Sequence, residues 1–337
     1  MGNNCHGRLE NCFLGAVQLF GQNLGFAPQS LIVLEIEPGA DFTVKIATSG
    51  GKYILSISER VVAEIDRIWD LLWQTPVLTM GEGFKRLTFD GEMLHGFEDL
   101  ADLSLTWLLL HELMHAEMGH MAFAPEARLV EVGLPAVRRE RDIPAGLDEA
   151  DLPLMDKCFE MQADSEATDV FLGLYDKNRW TDLRVQSVCI FVVMALIERE
   201  NLGHGNKGVT HPRAGTRFFT LMGHLFQMWL YPNAKLETSS GDTIIKTPEL
   251  PDAKEFEAYA HNVLTPLVGD AAYVAGFCGA GSFLEEIAGQ GALFKDIFTA
   301  QYGEDLTEDS FLTDAGKEWL HLRTANEKMM AASGHRD

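Results

Sequence analysis

The chain has 337 residues, 46% of them apolar, and a formal net charge of −23. That length allows one large domain or two, with enough apolar residues for a sizeable core. The acidity argues against a grip on DNA phosphates and against docking on anionic membrane surfaces, so no nucleic-acid partner is expected.

The five cysteines (Cys5, Cys12, Cys158, Cys189 and Cys278) are odd in number and show no C-x-x-C spacing. Free thiols in a reducing compartment follow, and with them a cytoplasmic location. The first ten residues are polar and no long apolar run follows them, so no signal peptide is expected.

Residues 31–57 hold three β-like runs, Leu31–Ile36, Phe42–Ala47 and Tyr53–Ile57. Pro38-Gly39 and Ser49-Gly50-Gly51 separate them as turns would, and a small antiparallel sheet is expected. A helix should follow from Ser58 to about Trp73. Val61, Val62, Ile65, Ile68, Trp69 and Leu72 recur at helical spacing, with Ser58 as its N-cap. Residues 76–97 read as a Gly-rich loop with a short strand at Arg86–Phe89.

The next run is apolar almost all round: Leu100, Leu103, Leu105, Trp107, Leu108, Leu109, Leu110, Leu113 and Met114. This is the pattern of a buried helix. It carries His111-Glu112-Leu113-Met114-His115, an H-E-x-x-H motif. Residues i and i+4 sit one above the other on a helix face, so the two imidazoles can grip one Zn²⁺. Glu112, beside the first ligand, is the general base of a metalloprotease in this motif. Two histidines and a glutamate inside an apolar helix are unfavourable unless something pairs them, and one zinc ion would do so.

A catalytic zinc needs a third protein ligand. The H-E-x-x-H-x-x-G-x-x-H pattern fails, because Met118 and Met121 stand at its Gly and third-His positions. His120 lies half a revolution from His111 on a continuing helix, and points away unless Gly119 ends the helix first. After a polar stretch at 122–148, residues 151–175 read as a second helix with Met155, Phe159, Ala163, Ala167, Val170 and Phe171 on its apolar side. Glu160 and Asp164 are i and i+4 there and share one face. Glu160 is the best candidate for the third ligand, and Asp164 is placed to take the spare ring N–H of a ligand histidine.

Further on, Val188–Ile197 is too short to span a bilayer, which takes about 18–20 apolar residues, and reads as a core helix ending at Glu198-Arg199-Glu200. No membrane span is expected. Residues 200–216 form a polar loop with His204 and His211. The stretch 231–252 is a Pro-containing connector, and the chain turns helical again from Lys254.

H-E-L-x-H-x-x-x-G-H followed by E-x-x-A-D resembles the gluzincin metallopeptidases, specifically the HtpX and CAAX prenyl protease type. Thr210-His211-Pro212 with Arg217, and the Gly50-Gly51-Lys52-Tyr53-Ile54-Leu55-Ser56 strand, are similar to further elements of that type. The soluble Lit-type phage-exclusion peptidases share the H-E-x-x-H core and are the related possibility. The resemblance covers roughly residues 48–220. It implies an α+β, mainly α, zincin-like metallopeptidase fold. Residues 1–97 would form the upper part of the cleft, 98–230 the zinc-binding part and 231–337 a helical C-terminal region, or all three one domain.

It also implies a zinc endopeptidase acting on a peptide or protein substrate. His211, and more weakly Arg217, would stabilise the oxyanion, and the strand at Tyr53, Ile54 and Leu55 would be the edge along which substrate pairs. The alternative is a catalytically silent or regulated binding protein on the same fold. An intact Glu112 favours the enzyme, because binding alone needs no base.

Overall fold

A computed structural model describes residues 2–24, 30–39, 41–74, 88–89, 92–93, 96–120, 130–131, 152–203, 210–230, 235–239, 242–246, 251–289 and 291–333. The stretch 122–148 falls almost wholly outside them, as does His204. The described residues are mainly helical, with a small mixed sheet on one side.

Helix α1 (Gly2–Leu24) precedes the strands β1 (Ile32–Glu37), β2 (Thr43–Ser49) and β3 (Lys52–Ser58). Gly50 and Gly51 both take left-handed backbone angles, φ 57° and 77°, as a tight hairpin turn between twisted strands requires. That turn pairs β2 with β3 antiparallel. The other side of β3 takes β1, and this pairing is parallel, Ile32 opposite Tyr53 through Glu37 opposite Ser58. The sheet is therefore mixed, not antiparallel as expected.

The pairing also corrects the substrate-edge assignment. Tyr53, Ile54 and Leu55 lie on the central strand, with backbone groups bonded on both sides, and have no free edge to offer. Among the described residues the outer strands are β1 and the two-residue β6 (Val130–Glu131), which pairs with β2 at Thr43 and Val44.

Helix α2 (Glu59–Gln74) buries the six apolar residues that its sequence period picks out. Ser58 ends β3. Its hydroxyl donates to the Asp41 carbonyl at 2.6 Å and accepts from the Thr43 N–H at 3.3 Å, so it ties the hairpin together. The short strands β4 (Thr88–Phe89) and β5 (Glu92–Met93) pair with each other.

Helix α3 (Phe97–Glu117) is the hub and packs against α1, α2 and the sheet. It also packs against α4 (Leu152–Leu172) and α5 (Trp180–Gly203). Trp69 Nε1–H donates to Ser104 Oγ at 2.9 Å, and that hydroxyl donates to the Cys189 carbonyl at 3.0 Å, stitching α2, α3 and α5.

The helical segment Lys177–Gly203 is long and apolar enough to cross a membrane by length and composition, but 83% of its apolar window is buried among the other helices. It runs past the expected end at residue 200. Glu198 and Glu200 are buried and paired: Glu198 accepts the Ala214 N–H at 2.7 Å, and Glu200 meets Arg60 at 2.9 Å and Arg199 at 2.6 Å.

Helix α6 (Ala214–Met228) leads to a hairpin, β7 (Lys235–Ser239) with β8 (Asp242–Lys246), inside what reads as a connector. Then come α7 (Ala253–Tyr259), α8 (Thr265–Cys278), α9 (Gly281–Ile287), α10 (Ala292–Tyr302) and α11 (Asp314–Ser333). One core runs from Leu9 in α1 to Ala315 in α11. A smaller cluster of Met155, Cys158 and Phe159 with Leu322, Ala325 and Met329 seals α4 to α11.

Candidate metal centre

Helix α3 presents His111 and His115 from consecutive turns, and their Nε2 atoms lie 3.1 Å apart. Across from them α4 presents Glu160. Its Oε2 is 3.4 Å from His111 Nε2, and its Oε1 is 3.7 Å from His115 Nε2. One donor atom from each of the three residues lies within 4.8 Å of the others, close enough for a single metal ion. His111, Glu112 and His115 are fully buried and Glu160 nearly so.

One helical turn beyond Glu160, Asp164 Oδ1 stands 3.0 Å from His111 Nδ1, an approach short in distance but off the ideal hydrogen-bond line. Asp164 is itself clamped by Arg217 of α6: Nε donates to Oδ2 at 2.6 Å and Nη2 to Oδ1 at 2.5 Å. Burial pushes the Asp164 carboxyl up, but the Arg217 guanidinium and the His111 ring beside it hold it at about 2.

Arg217 therefore stands behind His111, clamping the carboxylate beside it. Two of its three guanidinium nitrogens serve Asp164, and the third, Nη1, has no partner among the described residues. His211, in the turn before α6, does reach the centre. Its Nε2 is 3.3 Å from Glu160 Oε2, and its Nδ1 is 2.8 Å from Thr210 Oγ1.

His120 was expected to point away unless Gly119 ended the helix. Gly119 does so, with φ 72°, a left-handed angle suited to glycine. The chain turns back and His120 is buried, its Nδ1 2.8 Å from His115 Nδ1 and its Nε2 2.6 Å from Gln162 Oε1. Its ring stacks on Phe159 with centroids 4.4 Å apart. Burial holds His120 down at about 4, so the ring is neutral near pH 7. Gly119 was the one sign of this in the sequence; Gln162 carried none.

Among the described residues, three buried carboxylates, Glu112, Glu160 and Asp164, face one buried guanidinium, Arg217. With the histidines neutral, two negative charges stay unbalanced, the charge of one divalent cation. Two protons would balance them as well. Burial pulls His111 down, but Asp164 and Glu160 raise it to about 10; burial pushes Glu112 up to about 8. Buried polar atoms normally find partners. Both Glu112 oxygens, Glu160 Oε2, His211 Nε2 and Arg217 Nη1 have none among the described residues, and all gather here. The donor set and its charge fit a metal such as zinc.

Residues 58–228, half of the chain, match the family model described as Peptidase U49. The chain belongs to the peptidase U49 family. The match supports the Lit-type resemblance and does not specifically support the HtpX and CAAX prenyl protease type. No curated protein and no solved structure matches the chain. In this U49 peptidase the matched span runs from α2 to α6 and contains His111, Glu112, His115, Glu160, Asp164, His211 and Arg217. The strands β1–β3 and the helices α7–α11 lie outside it, apart from Ser58 at the end of β3.

Proposed function

We propose that this U49 peptidase is a zinc-dependent endopeptidase in which His111, His115 and Glu160 hold one ion and Glu112 is the general base. The observation that carries the reading is the buried His111–His115–Glu160 cluster, whose donor atoms lie within reach of one ion, beside a Glu112 whose oxygens have no partner among the described residues. A zinc ion held there supplies Lewis-acid activation of a water, whose pKa falls to near 7.

The chain's own groups do the rest. Glu112 sits in an apolar helix that lifts its pKa, and a cation in the site draws it back toward the range of a base at neutral pH. It accepts the proton of the attacking water and hands it to the leaving amine. His211, neutral because burial lowers its pKa, would donate from Nε2 to the oxyanion that develops on the scissile carbonyl. Asp164 and Arg217 orient His111 throughout.

Chelator competition tests the ligand set. Glu160→Ala weakens zinc binding far more than Asp156→Ala or Glu166→Ala on the same helix, because only Glu160 faces the two histidines. Equal zinc affinity in all three variants removes Glu160 from the set.

His211→Ala leaves zinc stoichiometry unchanged and lowers kcat by roughly 10²–10³, the loss of one oxyanion donor. KM changes little, because the contact strengthens in the transition state. Loss of the metal along with activity would instead make His211 a ligand.

A further inference from the structure

Helix α11 lies wholly outside the residues that match the peptidase family, yet it reaches the candidate centre. Gln162 Nε2–H donates to Asn326 Oδ1, and Met330 Sδ lies 3.9 Å from the same nitrogen. The amide is thereby oriented with Oε1 toward His120 Nε2, 2.6 Å away. We propose that Asn326, Gln162 and His120 form a hydrogen-bond chain that sets the tautomer of His115, so that the C-terminal helix positions a metal ligand. The inference rests on the metal reading above.

The direction of each bond follows from what each atom can do. A carbonyl oxygen only accepts, so His120 carries its proton on Nε2. The neutral ring then has a bare Nδ1, 2.8 Å from His115 Nδ1. One proton fits between two ring nitrogens, and it must be on His115. That leaves the lone pair of His115 on Nε2, the atom that faces His111 Nε2 and Glu160 Oε1. Reversing the Gln162 amide reverses every bond and puts a proton on His115 Nε2, where it blocks ligation. On the other ligand, Asp164 Oδ1 stands 3.0 Å from His111 Nδ1. The two ligand histidines thus have two different supports, a carboxylate clamped by Arg217 and a neutral relay ending in α11.

The relay is rigidly mounted. Glu318 of α11 binds Lys157 of α4 at 2.6 Å and Arg213, next to α6, at 3.2 Å. Cys158 Sγ–H donates to the Leu322 carbonyl at 3.4 Å, within the apolar seal between α4 and α11.

The experiment combines zinc affinity, by competition with a chromophoric chelator, with ¹⁵N shifts of the histidine rings in full-length, metal-free protein. In the wild type the shifts should show protons on His115 Nδ1 and His120 Nε2. Gln162→Leu should weaken zinc binding by about 10–100-fold, as loss of a group supporting a ligand histidine does. Gln162→Glu should stay within about threefold of wild type, because a carboxylate accepts the same N–H. Asn326→Leu should cost roughly three- to tenfold, the worth of one hydrogen bond, and Asn326→Asp should restore it.

A proton on His115 Nε2 overturns the proposal. So does a Gln162→Leu protein that melts like the wild type and binds zinc as tightly. A wild type that takes up no zinc sinks the metal reading instead, and the ring shifts still decide the direction of the chain.

Discussion

Glu112→Gln is expected to keep its zinc and lose catalysis. The amide matches the carboxylate in shape but cannot accept the proton of water, so the damage falls on the chemical step. General-base assistance contributes about 10²–10⁴-fold, and kcat should drop by that factor with zinc content unchanged. Glu112 is fully buried with neither oxygen bonded among the described residues, so the substitution disrupts no hydrogen bond seen there. The fold should tolerate it, and the melting temperature checks this. A variant that cleaves peptides at near the wild-type rate removes Glu112 as the base. A wild type that binds zinc but cleaves no peptide favours the silent binding protein.

The second large effect is on stability. Arg217→Met, measured with chelator present so that metal does not contribute, leaves Asp164 buried beside His111 without its guanidinium. Breaking a buried ion pair from one side costs about 3–5 kcal/mol, because the remaining charge is uncompensated. For a chain of this length that lowers Tm by roughly 4–7 °C. Adding Asp164→Asn removes the stranded charge and should recover most of the loss, a non-additivity expected of directly paired residues. It should not recover zinc affinity, since the amide no longer holds His111 as a carboxylate does.

The wild type carries the same signature in acid. Asp164 is held at about 2, below its ordinary 3.8, so its contribution is complete above the ordinary value and is lost as pH falls from there toward 2. Arg217→Met should flatten that part of the stability profile. An Arg217→Met protein with wild-type Tm and an unchanged acid limb would show that the pair carries no stability.

Some of this molecule is decided within a few consecutive residues. The i, i+4 geometry of a helix is the same wherever the helix sits. His111 with His115, and Glu160 with Asp164, are therefore readable from spacing alone, as is the buried face of α2 from Val61 to Leu72. Gly50 and Gly51 likewise announce a turn, because only glycine takes successive left-handed angles freely.

What spacing cannot express is which segments meet. Alternating β-like runs have the same period whether a strand ends up central or at an edge, so Tyr53–Leu55 could be read as an edge until β1 was seen to add in parallel to its far side. Arg217 is an arginine on a helix until α6 packs on α4, and only then does it meet Asp164, 53 residues earlier. Gln162 and Asn326 are 164 residues apart and come together because the apolar faces of α4 and α11 close on each other. The local sequence determined which side chains could bind a metal. Tertiary packing decided which groups stand beside those side chains, because a hydrogen bond between distant helices depends on their mutual placement and leaves no period in either one.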